Sequence, residues 1–116
     1  MIVADDDVDT RELVTVALRS RAIEIHIATN GAELLEQTRD LGPFDLIVTD
    51  VQMPIMGGLE AIATLRALGV DTPVLVMTGH ANVPTALGSN VALLRKPFQV
   101  SELRSAVDQL LGLGDT

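Results

Sequence analysis

Four short stretches of the chain are almost continuously apolar, at residues 1–4, 46–49, 74–77 and 91–94. Such runs are typical of strands that are buried on both faces of a parallel sheet. A fifth stretch, 23–27, alternates apolar and polar residues, which predicts a strand with one wet face at an edge of the sheet. The pattern therefore predicts five strands.

Segments with the 3.6-residue periodicity of amphipathic helices lie between and after these strands. Asp9 and Glu12 have the spacing of a capping box, as have Asn30 and Glu33, so we expect helices to begin at these pairs. A third helix is predicted to end near Gly69, where glycine would form a C-terminal cap. The apolar stripes of the four clearest helices are Leu13, Val14, Ala17 and Leu18; Leu34, Leu35, Thr38 and Leu41; Leu59, Ile62 and Leu65; and Leu103, Ala106, Val107, Leu110 and Leu111.

The connection 79–90 has the weakest helical pattern, because Pro84 and Gly88 interrupt it. We expect only a short helix there, the fourth along the chain. Strands that alternate with helices predict an α/β fold, a doubly wound parallel sheet with helices on both faces. A length of 116 residues, without repeats or a linker, predicts one domain over 1–116.

Composition narrows the possible functions. A net charge of −8 argues against direct binding to nucleic acid or to an anionic membrane, because both repel an acidic surface. The chain has no cysteine, which excludes disulfides and thiolate metal sites and suits the reducing cytoplasm. No signal peptide or membrane-length apolar run is recognised. We therefore expect a cytoplasmic domain.

Polar residues follow the predicted strands at their carboxyl ends, where doubly wound sheets carry their chemistry. Asp5 and Asp6 follow the first strand, Asp50 the third, Thr78 the fourth and Lys96 the fifth. Three carboxylates in one crevice repel each other and need compensating positive charge, which one lysine and one divalent cation would supply. Carboxylate oxygens at a wet edge suit Mg²⁺.

A carboxylate beside Mg²⁺, a hydroxyl and a lysine is equipped for phosphoryl transfer. Asp50 could attack phosphorus to form an aspartyl phosphate, with Thr78, Lys96 and Mg²⁺ holding the phosphoryl oxygens. Asp7 would replace Asp6 as a ligand if the strand register shifted by one residue. The apolar run that ends at Ala4 favours the Asp5 and Asp6 pair.

Together these residues resemble the receiver domains of response regulators. The resemblance rests on the Asp5-Asp6 pair, the run 50–60 with its Met-Pro, glycine and glutamate positions, Thr78-Gly79, and Lys96-Pro97-Phe98. These motifs occur in the family's order over essentially the whole chain. The resemblance implies a flavodoxin-like sheet of strand order 2-1-3-4-5.

The resemblance also implies a role for each residue at the site. Asp50 would be the phosphoacceptor, and Asp6 and Asp50 would bind Mg²⁺ directly, with Asp5 acting partly through water. Gln52 would offer its backbone carbonyl to the metal. Thr78 would hydrogen-bond the phosphoryl group.

Lys96 would pair with the phosphoryl group, and the Lys96-Pro97 bond is expected to be cis. The chain departs from the family at two places, which bear on the signalling face. Leu93 stands where the family usually has an aromatic switch residue, and the connection 79–90 is short. We expect phosphorylation mainly to reorder residues 79–90, with little rotation at Leu93. Such receivers resemble those associated with hybrid histidine kinases.

The implied function is a switch in a two-component or phosphorelay system, phosphorylated from the phosphohistidine of a histidine kinase or histidine phosphotransfer domain. It is not a turnover enzyme, since it would catalyse only its own phosphorylation and dephosphorylation. A haloacid dehalogenase-type phosphatase would need an acid where Gln52 stands. A flavin domain would need a phosphate loop where the chain has three aspartates. The main alternative is a receiver-like interaction module that works without phosphorylation.

Overall fold

The computed structural model describes residues 1–21, 24–79, 88 and 90–112. In this part of the chain, five parallel strands form one sheet in the order β2-β1-β3-β4-β5. The strands are β1 (Ile2–Ala4), β2 (His26–Ala28), β3 (Ile47–Asp50), β4 (Val74–Thr78) and β5 (Val91–Arg95). The helices are α1 (Val8–Leu18), which continues into a 3₁₀ turn (Arg19–Arg21), α2 (Gly31–Leu41), α3 (Gly58–Ala67) and α4 (Val100–Leu110).

Helices cover both faces of the sheet, as predicted. Successive strand side chains point to opposite faces, so Val3 packs with α1 and α4 while Ile2 and Ala4 pack with α2 and α3. The strands β1, β3 and β4 are buried throughout, as their continuous apolar sequences predicted. The α/β fold class and the strand order are therefore confirmed. The short helix predicted within 79–90 and the start of the second predicted strand at Ile23 lie outside the described residues.

The first helix begins earlier than the sequence predicted. Asp9 and Glu12 do not form its capping box, because Asp7 is the N-cap residue and the helix begins at Val8. The Asp7 carboxylate accepts a hydrogen bond from the Asp9 amide at 3.3 Å and another from the Thr10 hydroxyl at 2.7 Å. Asp7 therefore satisfies one of the unpaired amides of the first turn.

At the next two helices, the N-cap Asn30 and the C-terminal Gly69 agree with the sequence, whereas the capping box of Asn30 and Glu33 is not formed as predicted. The Asn30 side chain accepts from the Glu33 amide at 2.8 Å. Glu33 reaches back to the amide of Thr29, not to that of Asn30, so the box is displaced by one residue. Gly69 follows α3 with a φ of 84°, a conformation that glycine adopts without strain.

Some residues of the predicted apolar stripes, and the two strands at the edges of the sheet, are partly exposed. Leu13 is 43% exposed and Leu41 is 54% exposed, although both belong to predicted apolar stripes. The strand β5 is only half-buried over most of its length, because it has a single neighbouring strand. As predicted, β2 forms the opposite edge, where Ile27 is 38% exposed.

Candidate functional site

The acidic residues meet where β1 and β3 end side by side. Ala4 is paired with Thr49, so the residues that follow them, Asp5 and Asp50, lie at the same edge of the sheet. One carboxylate oxygen from each of Asp5, Asp6 and Asp50 lies within 4.8 Å of the others. Asp5 is fully buried and Asp50 is 9% exposed, whereas Asp6 is exposed. Two carboxylates of the cluster are therefore buried, and that of Asp6 forms the open side of the cluster.

Lys96 contacts two of the three carboxylates. Its Nζ atom lies 3.1 Å from Oδ2 of Asp5 and 3.4 Å from Oδ2 of Asp50. The Lys96 amide donates to the carbonyl of Thr78 at 2.7 Å, which extends the ladder between β4 and β5 by one residue. The Lys96-Pro97 bond is cis, as expected. One ammonium thus offsets part of the negative charge of the cluster.

Backbone amides hold the remaining oxygens of the two buried carboxylates. The Asp7 amide donates to Oδ1 of Asp5 at 2.9 Å. The Val51 amide donates to Oδ1 of Asp50 at 2.8 Å. Each carboxylate therefore has one oxygen bound by a backbone amide and the other beside the lysine ammonium.

The two titratable groups at the centre of the site are both perturbed. Burial and the charge of Asp5 raise the pKa of the Asp50 carboxyl, although Lys96 and the Val51 amide act to lower it. Burial acts to lower the pKa of the Lys96 ammonium, but its bonds and charge interactions with Asp5 and Asp50 outweigh burial and raise that pKa. Lys96 therefore stays charged at neutral pH. The ionised form of Asp50 is disfavoured, and additional positive charge at the site would stabilise it.

We predict that Asp50→Asn raises the melting temperature of the metal-free protein at neutral pH by a few degrees. The pKa of Asp50 is raised in the folded state, so ionisation of this carboxyl disfavours folding. The penalty begins above the ordinary pKa of 3.8 and is complete above the raised folded value. Melts in a chelator should show a difference at pH 7 that disappears below pH 3.8. The exposed residue Asp71 provides the control variant Asp71→Asn. A pH-independent difference would contradict this account.

Thr78 and Gln52, the other two predicted site residues, lie near the acidic cluster, and their roles stay predictions. Thr78 is fully buried at the end of β4, one residue beyond the partner of Asp50 in the adjacent strand. Gln52 is exposed in the loop after β3, where it lines an open depression together with Asp6. Thr78 is thus next to the cluster in strand register, and Gln52 borders it from the loop.

Close backbone packing behind Asp50 was not predicted from the sequence. A Cβ atom on Gly58 would lie only 2.0 Å from the Asp50 carbonyl oxygen, and one on Gly31 would lie 2.7 Å from the Met56 carbonyl oxygen. The amides of these glycines donate to Val51 and Met56 at 2.9 Å and 2.8 Å. The loop that leaves the site is therefore packed tightly between α2 and α3.

The donor set fits a hard divalent cation. Carboxylate oxygens are preferred ligands of Mg²⁺, which usually keeps several water ligands as well. Each of the three aspartates offers one oxygen within 4.8 Å of the others, and exposed Asp6 leaves the cluster accessible to water. Among the described residues, Asp5, Asp6 and Asp50 form the one group of acidic or histidine side chains that are close enough together to hold a metal ion.

A five-stranded parallel sheet of order 2-1-3-4-5, with helices on both faces, places the chain in the flavodoxin-like class of α/β domains. The chain belongs to one family of this class: the family model described as "Response regulator receiver domain" matches residues 1–108. It is therefore a receiver domain of two-component signalling. Receiver domains bind Mg²⁺ through an acidic pocket, interact with histidine kinases or phosphotransfer proteins, and are generally not classical enzymes.

Relatives and solved structures agree with this assignment. Over 118 residues, the chain is 40% identical to the transcriptional regulatory protein FixJ of Azorhizobium caulinodans, covering 95% of this chain and 54% of that protein. It is 33% identical to the regulatory protein AtoC of Escherichia coli over 121 residues, covering 97% of this chain and 25% of that protein. The chain therefore spans about a quarter to a half of the curated relatives it matches.

Two solved structures superpose along almost the whole chain. The receiver domain of the Francisella response regulator 1452 has a TM-score of 0.83 at 28% identity, covering 96% of this chain and 94% of its own. The Vibrio cholerae chemotaxis protein CheY4 has a TM-score of 0.81 at 29% identity, covering 95% and 96%. In the described part of the chain, no helix is long and apolar enough to cross a membrane.

Proposed function

We propose that Asp50 accepts a phosphoryl group in an Mg²⁺-dependent reaction and that this phosphorylation switches the conformation of the domain. The observation that carries the proposal is the position of Asp50. Its carboxylate lies within 4.8 Å of two other aspartates and 3.4 Å from the Lys96 ammonium. A nucleophilic oxygen, a place for a cation and a fixed positive charge therefore share one open crevice.

The reaction transfers phosphorus from nitrogen to oxygen. A carboxylate oxygen of Asp50 attacks the phosphorus of a phosphohistidine and forms an O–P bond while the N–P bond breaks. The histidine nitrogen keeps the bonding electron pair and takes a proton from solvent. Hydrolysis resets the switch. Water attacks the phosphorus of the aspartyl phosphate, inorganic phosphate leaves, and the Asp50 carboxylate is restored.

The other residues of the site hold the reacting groups. Asp6, Asp50 and the backbone carbonyl of Gln52 would be metal ligands, with Asp5 acting partly through water. Bound Mg²⁺ supplies positive charge to the phosphoryl oxygens. Lys96 supplies a second positive charge, and the Thr78 hydroxyl donates a hydrogen bond to the transferred group.

The proposed donor is the phosphohistidine of a histidine kinase or histidine phosphotransfer domain. The net charge of −8 argues against direct contact with nucleic acid or an anionic membrane. This phosphoryl donor and the absence of cysteine support a cytoplasmic site of action. We assign the receiver domain to residues 1–116. The association with hybrid kinases and the reordering of residues 79–90 without rotation of Leu93 stay predictions.

We predict that Mg²⁺ stabilises the folded domain. An ion that binds only the native state adds about 2.7 kcal/mol at a hundredfold excess over its Kd, which for a domain of this size raises the melting temperature by roughly 10 °C. Thermal melts with a chelator and with millimolar Mg²⁺ measure the effect. Asp6→Asn should reduce the shift, because Asp6 is a ligand on the open side, whereas Asp71→Asn should preserve it. Equal melting temperatures with and without Mg²⁺ would reject the metal site.

A further inference from the structure

Arg11 in the second turn of α1 reaches back to the loop that carries the acidic pair. Its Nη1 atom donates a hydrogen bond to the backbone carbonyl of Asp5 at 2.8 Å. Helical side chains point toward the N-terminus of their own helix, so a long residue here can reach the chain that enters the helix. Arg11 thus contacts the backbone of Asp5, a buried member of the acidic cluster.

The position is unfavourable for a cation on local grounds. The N-terminal end of a helix carries a partial positive charge, which favours acidic residues in the first turns. Arg11 is nevertheless the first basic residue of the chain, and it follows Asp5, Asp6, Asp7 and Asp9. A contact outside the helix, with the Asp5 carbonyl, accounts for an arginine at this place.

Asp5 is anchored at every polar atom. Its amide donates to Ala28 at 3.1 Å, and its two carboxylate oxygens contact the Asp7 amide and Lys96. The remaining polar group of Asp5 is its backbone carbonyl, which accepts the hydrogen bond from Arg11. Removal of the Arg11 side chain would therefore release one end of the peptide plane that joins Asp5 to Asp6.

This peptide plane determines where Asp6 points. The carbonyl of Asp5 and the Cα atom of Asp6 belong to the same planar unit, so rotation of the carbonyl moves the Asp6 side chain. Among the described residues, no hydrogen bond or ion pair holds the exposed Asp6 carboxylate. The orientation of Asp6 therefore depends on the backbone that Arg11 holds.

We propose that Arg11 is a positioning residue for the metal site: it fixes the Asp5–Asp6 peptide and thereby aims the Asp6 carboxylate at the cation. This inference rests on the proposed Mg²⁺ site. Partners that orient metal ligands typically contribute tenfold to a hundredfold to affinity. Arg11→Ala should accordingly raise the Kd for Mg²⁺ about tenfold or more.

Calorimetric titration of the metal-free protein with Mg²⁺ tests the proposal, with the metal-free melting temperature measured beside it. The matched control is Arg104→Ala, since Arg104 donates to the Ala17 carbonyl at 3.0 Å, at the opposite end of α1. Both variants lose an arginine bond to a backbone carbonyl at an end of α1. Only Arg11→Ala should weaken Mg²⁺ binding, and the two melting temperatures should fall by similar amounts.

Additional variants keep the test decisive. Arg11→Met keeps a long side chain of high helix propensity without a hydrogen-bond donor. It replaces Arg11→Ala if that variant does not fold, and the same increase in Kd is expected. Arg11→Lys, which keeps a long cationic donor, should recover part of the affinity. In metal-free protein, the NMR amide signals of Asp6 and Asp7 should shift in Arg11→Ala and stay in place in Arg104→Ala.

The outcomes separate the inference from the proposed function. Wild-type affinity for Mg²⁺ in the Arg11 variants would overturn the positioning role and leave the metal site intact. An equal loss of affinity in Arg104→Ala would show a general effect of α1 stability and would also overturn it. If the wild-type protein itself gives no Mg²⁺ binding, the proposed metal site fails, and the role of Arg11 fails with it.

Discussion

Asp50→Asn is expected to abolish phosphorylation by a small donor such as acetyl phosphate in the presence of Mg²⁺. The amide that replaces the carboxylate has no anionic oxygen to attack phosphorus. We do not expect Asp5 to substitute, because its side chain is fully buried, whereas 12% of the Asp50 side chain is exposed to an incoming donor. Intact-mass spectrometry should show one added phosphoryl group on the wild-type protein and none on the variant.

The control for this experiment is Asp71→Asn, which removes an exposed carboxylate from the loop before β4 and should be phosphorylated normally. The label on the wild-type protein should be lost at alkaline pH, as acyl phosphates are hydrolysed there. Undiminished, acid-stable label in Asp50→Asn would contradict the assignment. A wild-type protein that binds Mg²⁺ but takes no label would favour the interaction module that works without phosphorylation.

Lys96→Ala is expected to slow phosphorylation of Asp50 about a hundredfold, the usual effect of removing one fixed group that stabilises transition-state charge. Lys96 is the only lysine of the chain, and its ammonium lies between Asp5 and Asp50 at 3.1 Å and 3.4 Å. The measurement is the initial rate of incorporation from acetyl phosphate at saturating Mg²⁺.

Removal of Lys96 also leaves buried Asp5 without its cationic partner, so the variant should be less stable in a chelator. Added Mg²⁺ should restore part of that stability, since it brings positive charge to the same carboxylates. Arg95→Ala serves as the control, because it removes an adjacent cation whose side chain is exposed. An unchanged rate in Lys96→Ala, or an equal loss in Arg95→Ala, would rule out the proposed role.

Leu93 stands where the resemblance to receiver domains implies an aromatic switch residue. Leu93 is half-buried on β5 and packs against the apolar cluster under α2 and α3. A leucine that gains burial contributes at most about 1.5–3 kcal/mol and cannot make the hydrogen bond of a phenol. This packing supports the prediction that rotation at this position is a small part of the switch.

The sequence by itself determined the strands and the edge of the sheet at which the chemistry lies. Continuous apolar runs are buried on both faces, and parallel pairing places their carboxyl ends together. Asp5, Asp6, Asp50 and Lys96 could therefore be brought to one crevice from their positions after strands. The order of the strands came from the resemblance to receiver domains, because apolar patterns do not specify which strands are neighbours.

Only the structure decided contacts that the sequence pattern leaves open, beginning with the cap of α1. The spacing of Asp9 and Glu12 predicted a cap, but Asp7 is the N-cap of α1, because its carboxylate accepts from the Asp9 amide and the Thr10 hydroxyl. Local spacing cannot tell which of several adjacent aspartates leaves the helical conformation.

Likewise, nothing in the sequence around Arg11 or Gly58 shows that one donates to the Asp5 carbonyl and the other lies against the Asp50 carbonyl. The signal that could have identified Arg11 is a cation near the start of a helix, where the dipole disfavours it. Side-chain periodicity reports which face of an element is buried, whereas these contacts depend on the distance between backbones that only packing sets.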